Sequence, residues 1–157
     1  MKESRLFVPS FEVTRRMEFD AGHRVPHHNG QCCNIHGYRY ALEITISGPL
    51  VVEESRSDNG MVIDFQAIQK LAHEHIIDKW DHAFLVYKDD FVLDFLKKIP
   101  GHKTVVLDQP PTVENLAATA FRCLQDVLRV EYKNSLFLNK VRLYETPNCW
   151  ADITSPS

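Results

Sequence analysis

Within QCCNIHGYRY, Gln31 to Tyr40, two thiols, an imidazole and two phenols fall inside ten residues, and a further imidazole, His23, lies thirteen positions before His36. His36 and Tyr38 are two apart, so on a strand they project from one face, and a hairpin-like return brings His23 opposite them. Such a set suits a catalytic zinc, which takes three protein ligands and keeps one position open. On spacing alone the plainer reading, histidines hydrogen-bonded at strand ends, is favoured. Cys32 and Cys33 sit in the loop before His36. A thiol beside a divalent cation ionises more readily and can serve as base or nucleophile. Asp81 and His82 pair a carboxylate with an imidazole, as a proton relay or as the cap of a helix end. His73 and His75 diverge by roughly 200° on a helix and do not share a metal easily.

These residues need elements to hold them. Phe11, Val13, Arg15, Met17 and Phe19 alternate with mostly charged residues, which predicts a strand over Phe11 to Asp20 that closes near His23. Tyr38, Tyr40, Leu42, Ile44 and Ile46 predict a second strand. Met61 to Ile63 suits a third that pairs back as a hairpin with a long loop. Asp64 offers an N-cap to a helix from Phe65 to Lys79, and Thr112 offers one to a helix carrying Leu116, Ala120, Leu124, Val127 and Leu128 on one face. Ala83 to Tyr87 is a short apolar patch, Asp90 to Lys98 a small helix, and Thr104 to Leu107 a short strand that Pro110-Pro111 stops. Phe137 to Glu145 is the last regular element, with Val141, Leu143 and Glu145 on one face. Burying Glu145 there is costly unless it binds something, and a carboxylate accepts well from the paired N–H donors of a guanine-like or pterin ring. The order of elements implies an α+β domain with a mostly antiparallel sheet and helices on one face.

Composition bounds the function. A chain of 157 residues with 44% hydrophobic residues supports one globular domain, spanning 1–157. The net charge of -3, with no run of Lys or Arg longer than two, excludes an electrostatic footprint for nucleic acid. No apolar stretch approaches the about 20 residues that span a bilayer, and MKESRLFVPS lacks the apolar core of a leader, so a cytoplasmic protein with no membrane partner and reduced cysteines is expected.

FDAGHRVP, then C-x-x-x-HG from Cys32 to Gly37, GMVIDF, WDHAFL, PPTVENLA and VRLYET stand in the order seen in the 6-pyruvoyltetrahydropterin and 6-carboxytetrahydropterin synthase family, which the chain resembles from about Met17 to Thr146. The resemblance implies a tunnelling fold: a four-stranded antiparallel sheet with two helices on one face, the sheets of three subunits joining into a barrel and two trimers stacking as a homohexamer. It implies zinc on His23, His36 and the residue at position 38, Cys32 as general base assisted by Asp81 and His82, a pterin pocket including Thr112 and Glu114, and Glu145 as pterin anchor. The Cys32-to-His36 interval resembles the carboxytetrahydropterin branch. That branch converts 7,8-dihydroneopterin triphosphate to 6-carboxy-5,6,7,8-tetrahydropterin with loss of acetaldehyde and triphosphate, toward 7-deazaguanines such as queuosine. The alternatives are 6-pyruvoyltetrahydropterin synthesis, a phosphorus–oxygen lyase reaction, and a pterin- or purine-binding oligomer without turnover.

One position departs from the pattern: the family reads HGH where this chain reads HGY. A phenol near pKa ~10 costs about 4 kcal/mol to ionise at neutral pH before a metal helps. Three readings are open: Tyr38 is the ligand, His27 or His28 takes its place, or the site binds metal weakly and has lost or changed its activity. Arg24 and Lys103 are candidates for the triphosphate.

Overall fold

Period-two patterning runs further along the chain than the sequence reading placed it. β1 spans Phe11–His23 and β2 spans His36–Gly48. They pair antiparallel in unbroken register from Phe11↔Gly48 to His23↔His36. This computed structural model describes residues 10–156. The stretch 1–9, read above as lacking a leader's apolar core, lies outside the described residues. Met17, Phe19, Ala21 and His23 of β1 share the inner face with Tyr40, Leu42, Ile44 and Ile46 of β2, and all eight are buried. Arg16, Glu18, Asp20, Arg39 and Glu43 take the other face.

The helices cover the inner face. Asp64 caps α1, Phe65–Ala72, by accepting from the Gln66 amide at 2.8 Å. A π-helical turn, His73–Ile77, and a last turn α2, Asp78–Trp80, continue it. The wider turn carries more than one residue per step to the core side, so Ile76 and Ile77 are both buried. Thr112 caps α4, Val113–Tyr132, and Lys133 closes it in the left-handed region at φ 50°. Leu116, Ala120, Leu124 and Leu128 of α4 join Ile68, Leu71 and Ile76 against Leu42, Ile44, Val141 and Leu143 of the sheet. Each fully buried side chain of this kind contributes about 1.5–3 kcal/mol relative to exposure. Among the described residues no helix is long and apolar enough to cross a membrane.

The expected four-stranded antiparallel sheet is corrected to a mixed sheet of six strands, ordered β4-β3-β1-β2-β5-β6. β5, Phe137–Thr146, pairs antiparallel with β2, and β6, Cys149–Thr154, turns back on β5. β3, Ala83–Tyr87, runs parallel to β1, and β4, Thr104–Leu107, runs parallel to β3. The apolar patch at Ala83 is therefore a sheet strand, brought beside β1 by the helical crossover. The short helix α3, Val92–Leu96, is smaller than the Asp90 to Lys98 expected, and it closes a separate small cluster with Phe84 and Val86. Met61–Ile63 forms no strand. β2 already has β1 on one side and β5 on the other, so no ladder is open to this segment. Val62 and Ile63 are instead buried as part of a loop tied by two backbone bonds to Val51.

Candidate functional site

The ends of β1 and β2 place His23 directly across from His36, with Tyr38 across from Ala21 on the same inner face. Gly37 between them permits the close approach, because a Cβ there would lie 2.6 Å from the Ala21 carbonyl oxygen. His23 is completely buried. Its Nδ1 lies 2.8 Å from the Pro111 carbonyl oxygen, just before α4. His36 Nδ1 lies 2.6 Å from the Asn34 carbonyl oxygen. A carbonyl only accepts, so both Nδ1 atoms carry the proton and donate. Both Nε2 atoms are then left as lone pairs, and they face each other at 3.1 Å. Two lone pairs at that distance repel unless a cation lies against them, and tying the far nitrogen to a carbonyl is how metal-binding imidazoles are oriented. Burial holds the His23 imidazole below its ordinary pKa, the Pro111 carbonyl opposing and His36 adding to the effect. The neutral, metal-ready form is favoured.

The donor set fits a divalent metal such as zinc at two positions. Among the described residues no group of three or more His, Cys, Asp or Glu side chains converges on a metal position. The aromatic ring beside both imidazoles is Tyr38, its centroid 5.5 Å from His23 and 5.1 Å from His36. Burial raises its phenol above the ordinary value, and Cys32 and Glu145 raise it further. His28 is turned elsewhere, its Nδ1 accepting from the Gly30 amide at 2.8 Å, and His27 occupies a left-handed turn position at φ 64°.

Glu145, on β5, approaches the same cluster, with Oε1 4.0 Å from His23 Nε2. Its side chain is 19% exposed. Burial raises its carboxyl above the ordinary value, and Glu114 in the first turn of α4 raises it further, opposed by His36. Thr112 sits at the mouth of this helix, its hydroxyl taken by the Asn115 amide at 3.3 Å. Cys32 and Cys33 form the short 3-10 turn Gln31–Cys33 before β2, and both are partly exposed. Of the two, Cys32 is the thiol that bears on Tyr38.

Asp81 and His82 lie apart from this cluster. Asp81 Oδ2 and His82 Nδ1 lie 2.9 Å apart at the end of α2, and Asp81 Oδ1 accepts from the Asp20 amide at 2.9 Å. That amide, and then His82, hold the Asp81 carboxyl below its ordinary value. His82 is 77% exposed and takes φ 58°, a left-handed conformation that an L residue adopts at some strain. Among the described residues neither makes a hydrogen bond or ion pair with Cys32. His82, without Asp81, borders an open groove together with His36, Gly37 and Tyr38. Arg24 and Lys103, the triphosphate candidates, are engaged inside the subunit. Arg24 Nε donates to the buried Asp90 carboxylate at 2.8 Å, and Lys103 Nζ donates to the carbonyls of Asp78 and Asp81 at 2.7 and 2.6 Å.

One member was missed in the sequence. Tyr40 reads as an ordinary inward strand residue, yet its hydroxyl lies in this cluster, fully buried, with no hydrogen-bond partner. A phenol two residues beyond Tyr38, at a strand end that also carries His36, was the available signal.

The sequence pattern of the family described as 6-pyruvoyl tetrahydropterin synthase matches residues 12–156. The chain is 37% identical to the 6-carboxy-5,6,7,8-tetrahydropterin synthase of Rickettsia conorii over 144 residues, 90% of this chain and 99% of that one. It is 30% identical to the enzyme of that name from Haemophilus influenzae, over 90% of this chain and 97% of the other. Among solved structures, the 6-pyruvoyl tetrahydropterin synthase of Caenorhabditis elegans superposes with a TM-score of 0.66 at 25% identity, covering 95% of this chain and 98% of that one. The motifs that the sequence carries in order, the sheet that positions them and these matches over nearly the full length agree: the chain belongs to the 6-pyruvoyl tetrahydropterin synthase family, as a lyase of the pterin-synthase type.

Proposed function

We propose that the protein converts 7,8-dihydroneopterin triphosphate to 6-carboxy-5,6,7,8-tetrahydropterin, releasing acetaldehyde and triphosphate, as a zinc-dependent carbon–carbon lyase of 7-deazaguanine (queuosine) synthesis in the cytoplasm. The observation that carries this reading is the 3.1 Å approach of the His23 and His36 Nε2 atoms, each ring tied through Nδ1 to a backbone carbonyl, with Glu145, Tyr38 and Cys32 beside them. The names of the Rickettsia and Haemophilus relatives support the carboxy product, as does the four-residue step from Cys32 to His36.

His23, His36 and Tyr38 would hold the metal, which as a Lewis acid polarises the side-chain hydroxyls of the substrate and acidifies the adjoining C–H and O–H groups. Glu145, with Glu114 near it, accepts from the amino and ring N–H edge of the pterin, and Thr112 shapes the pocket by fixing the start of α4. Cys32 removes the proton from the side chain. Among the described residues Asp81 and His82 make no hydrogen bond to Cys32 of their own subunit, and His82 is exposed, which supports a base completed across a subunit boundary. Three subunits closing their sheets into a barrel, and two such trimers forming a hexamer, would bring that boundary together and cover the free edges of β4 and β6. The single domain spans 1–157.

Incubating the zinc-loaded protein with the triphosphate and identifying products by mass tests the reading. Acetaldehyde with a carboxypterin is the expected result. A pyruvoyl product places the reaction at triphosphate elimination instead, and bound, unchanged substrate overturns catalysis altogether.

A further inference from the structure

Tyr40 is the one buried polar group of the cluster for which neither the sheet nor a metal accounts. Its ring stacks on Phe19 at 5.3 Å and 11° between planes, and it stands edge-on to His23 at 6.0 Å and to Tyr38 at 5.9 Å. Packing of this kind fixes the ring and leaves the hydroxyl one direction to face. The hydroxyl nevertheless has no partner, and the residue is 0% exposed. An O–H removed from water without a partner is a cost, and a phenylalanine would fill the same stack without it.

Zero exposure keeps the hydroxyl from touching a ligand in the open site directly. Glu145 lies across from Tyr40, just beyond the end of the β2–β5 ladder. Ala41 pairs with Tyr144, and one step beyond that last pair lie Tyr40 and Glu145, both on the inner face. Neighbours across a sheet at that spacing are close enough for a side-chain hydrogen bond. Burial raises the Tyr40 phenol far above its ordinary value, and Glu145 is the largest of the charged influences on it, ahead of Tyr38 and Cys32.

We propose that Tyr40 is a positioning residue for pterin recognition, its hydroxyl donating to the Glu145 carboxylate when a ligand's N–H edge draws that carboxylate into place, so that one oxygen is held from beneath while both accept from the ring. The proposal rests on the reading of Glu145 as the pterin anchor. It gives the buried hydroxyl an acceptor, which the rest of the chain does not supply. It also assigns Tyr40 to specificity: a held carboxylate accepts two parallel donors, which a rotating one does so less well.

The test measures the dissociation constant of neopterin, from its own fluorescence, for the zinc-loaded wild type, Tyr40→Phe, Glu145→Gln and the double variant, with thermal midpoints of each. The expected result is a loss of about ten-fold in affinity for Tyr40→Phe, with a thermal midpoint unchanged or higher because an orphaned hydroxyl is gone. In the Glu145→Gln background the same substitution changes affinity less than about two-fold. Turnover in Tyr40→Phe then shows a raised KM with kcat nearly kept. Wild-type affinity in Tyr40→Phe, beside weakened binding in Glu145→Gln, overturns the role of Tyr40 and leaves the anchor standing. Equal losses from Tyr40→Phe in both backgrounds also overturn it. Unweakened binding in Glu145→Gln overturns the anchor itself, and this inference with it.

Discussion

The last turns of the β1–β2 ladder present two faces built from alternate residues of the same strands, and the two are completed in opposite ways. On the outer face Asp20 and Arg39 meet in a two-point ion pair at 3.1 and 3.0 Å, and Asp81 Oδ1 is occupied by the Asp20 amide. Farther out, Arg142 and Asp152 pair across β5 and β6 at 2.6 and 2.7 Å, the guanidinium lying 5.0 Å from the Trp150 ring centre. On the inner face two imidazole lone pairs oppose each other, Glu145 carries a raised carboxyl, and the Tyr40 hydroxyl has no partner. A surface whose charges are paired is finished by folding. A buried cluster whose polar groups are left incomplete is finished by a ligand, since leaving such groups unmatched is costly otherwise.

The contrast can be broken by substitution. The largest effect expected is on the inner side: Cys32→Ala should lower turnover by roughly 10²–10⁴-fold, the range for losing a positioned base, while keeping neopterin affinity, and Cys33→Ala should be mild. The reverse ranking in steady-state rates would assign the base to the other thiol. Next, Tyr38→Phe should weaken zinc binding by about ten-fold or more, since even groups that only orient a ligand are worth that much. Competition against a chelator measures it, and Tyr38→His should restore affinity. Full zinc affinity in Tyr38→Phe would remove the phenol from the ligand set.

Smaller effects belong to the outer face. Arg142 holds the Asp152 carboxyl below its ordinary value. The folded state therefore gains stability from that pair above the usual carboxylate range and loses it as pH falls through the lowered value. Asp152→Asn should cost about 0.5–1 kcal/mol at neutral pH, since the pair is about one-third exposed, and the difference from wild type should vanish in acid. Equal thermal midpoints at neutral pH would mean that the pair is solvated away. Smallest of all, Arg39→Ala should leave the thermal midpoint and zinc content unchanged, because its pair with Asp20 is exposed. Loss of zinc in that variant would show that the two faces are coupled.

The chain by itself determined the local elements and the chemical inventory. Alternation in β1 and β2, the caps Asp64 and Thr112, and the helical stripe of α4 are short-range signals, and each stands where the pattern put it. The motifs from FDAGHRVP to VRLYET identified the family and named His23, His36, Cys32 and Glu145. Other features depended on which strands found each other. β6 was absent from the reading because six residues, CWADIT, with a two-residue turn before them, carry little apolar alternation, and only β5 makes them a strand. Met61–Ile63 looks like a strand in isolation and is none, because both sides of β2 were already taken. The parallel placement of β3 and β4 followed from a helical crossover that period-two patterns do not encode. The state of the site was also decided in three dimensions. The carbonyls of Pro111 and Asn34 set which nitrogen of each histidine is free, and the ladder that ends at Ala41↔Tyr144 leaves Tyr40 and Glu145 one step beyond it. A hydrogen bond to a distant backbone oxygen leaves no mark on residue type, so the sequence supplied the imidazoles and the fold supplied their tautomer and aim.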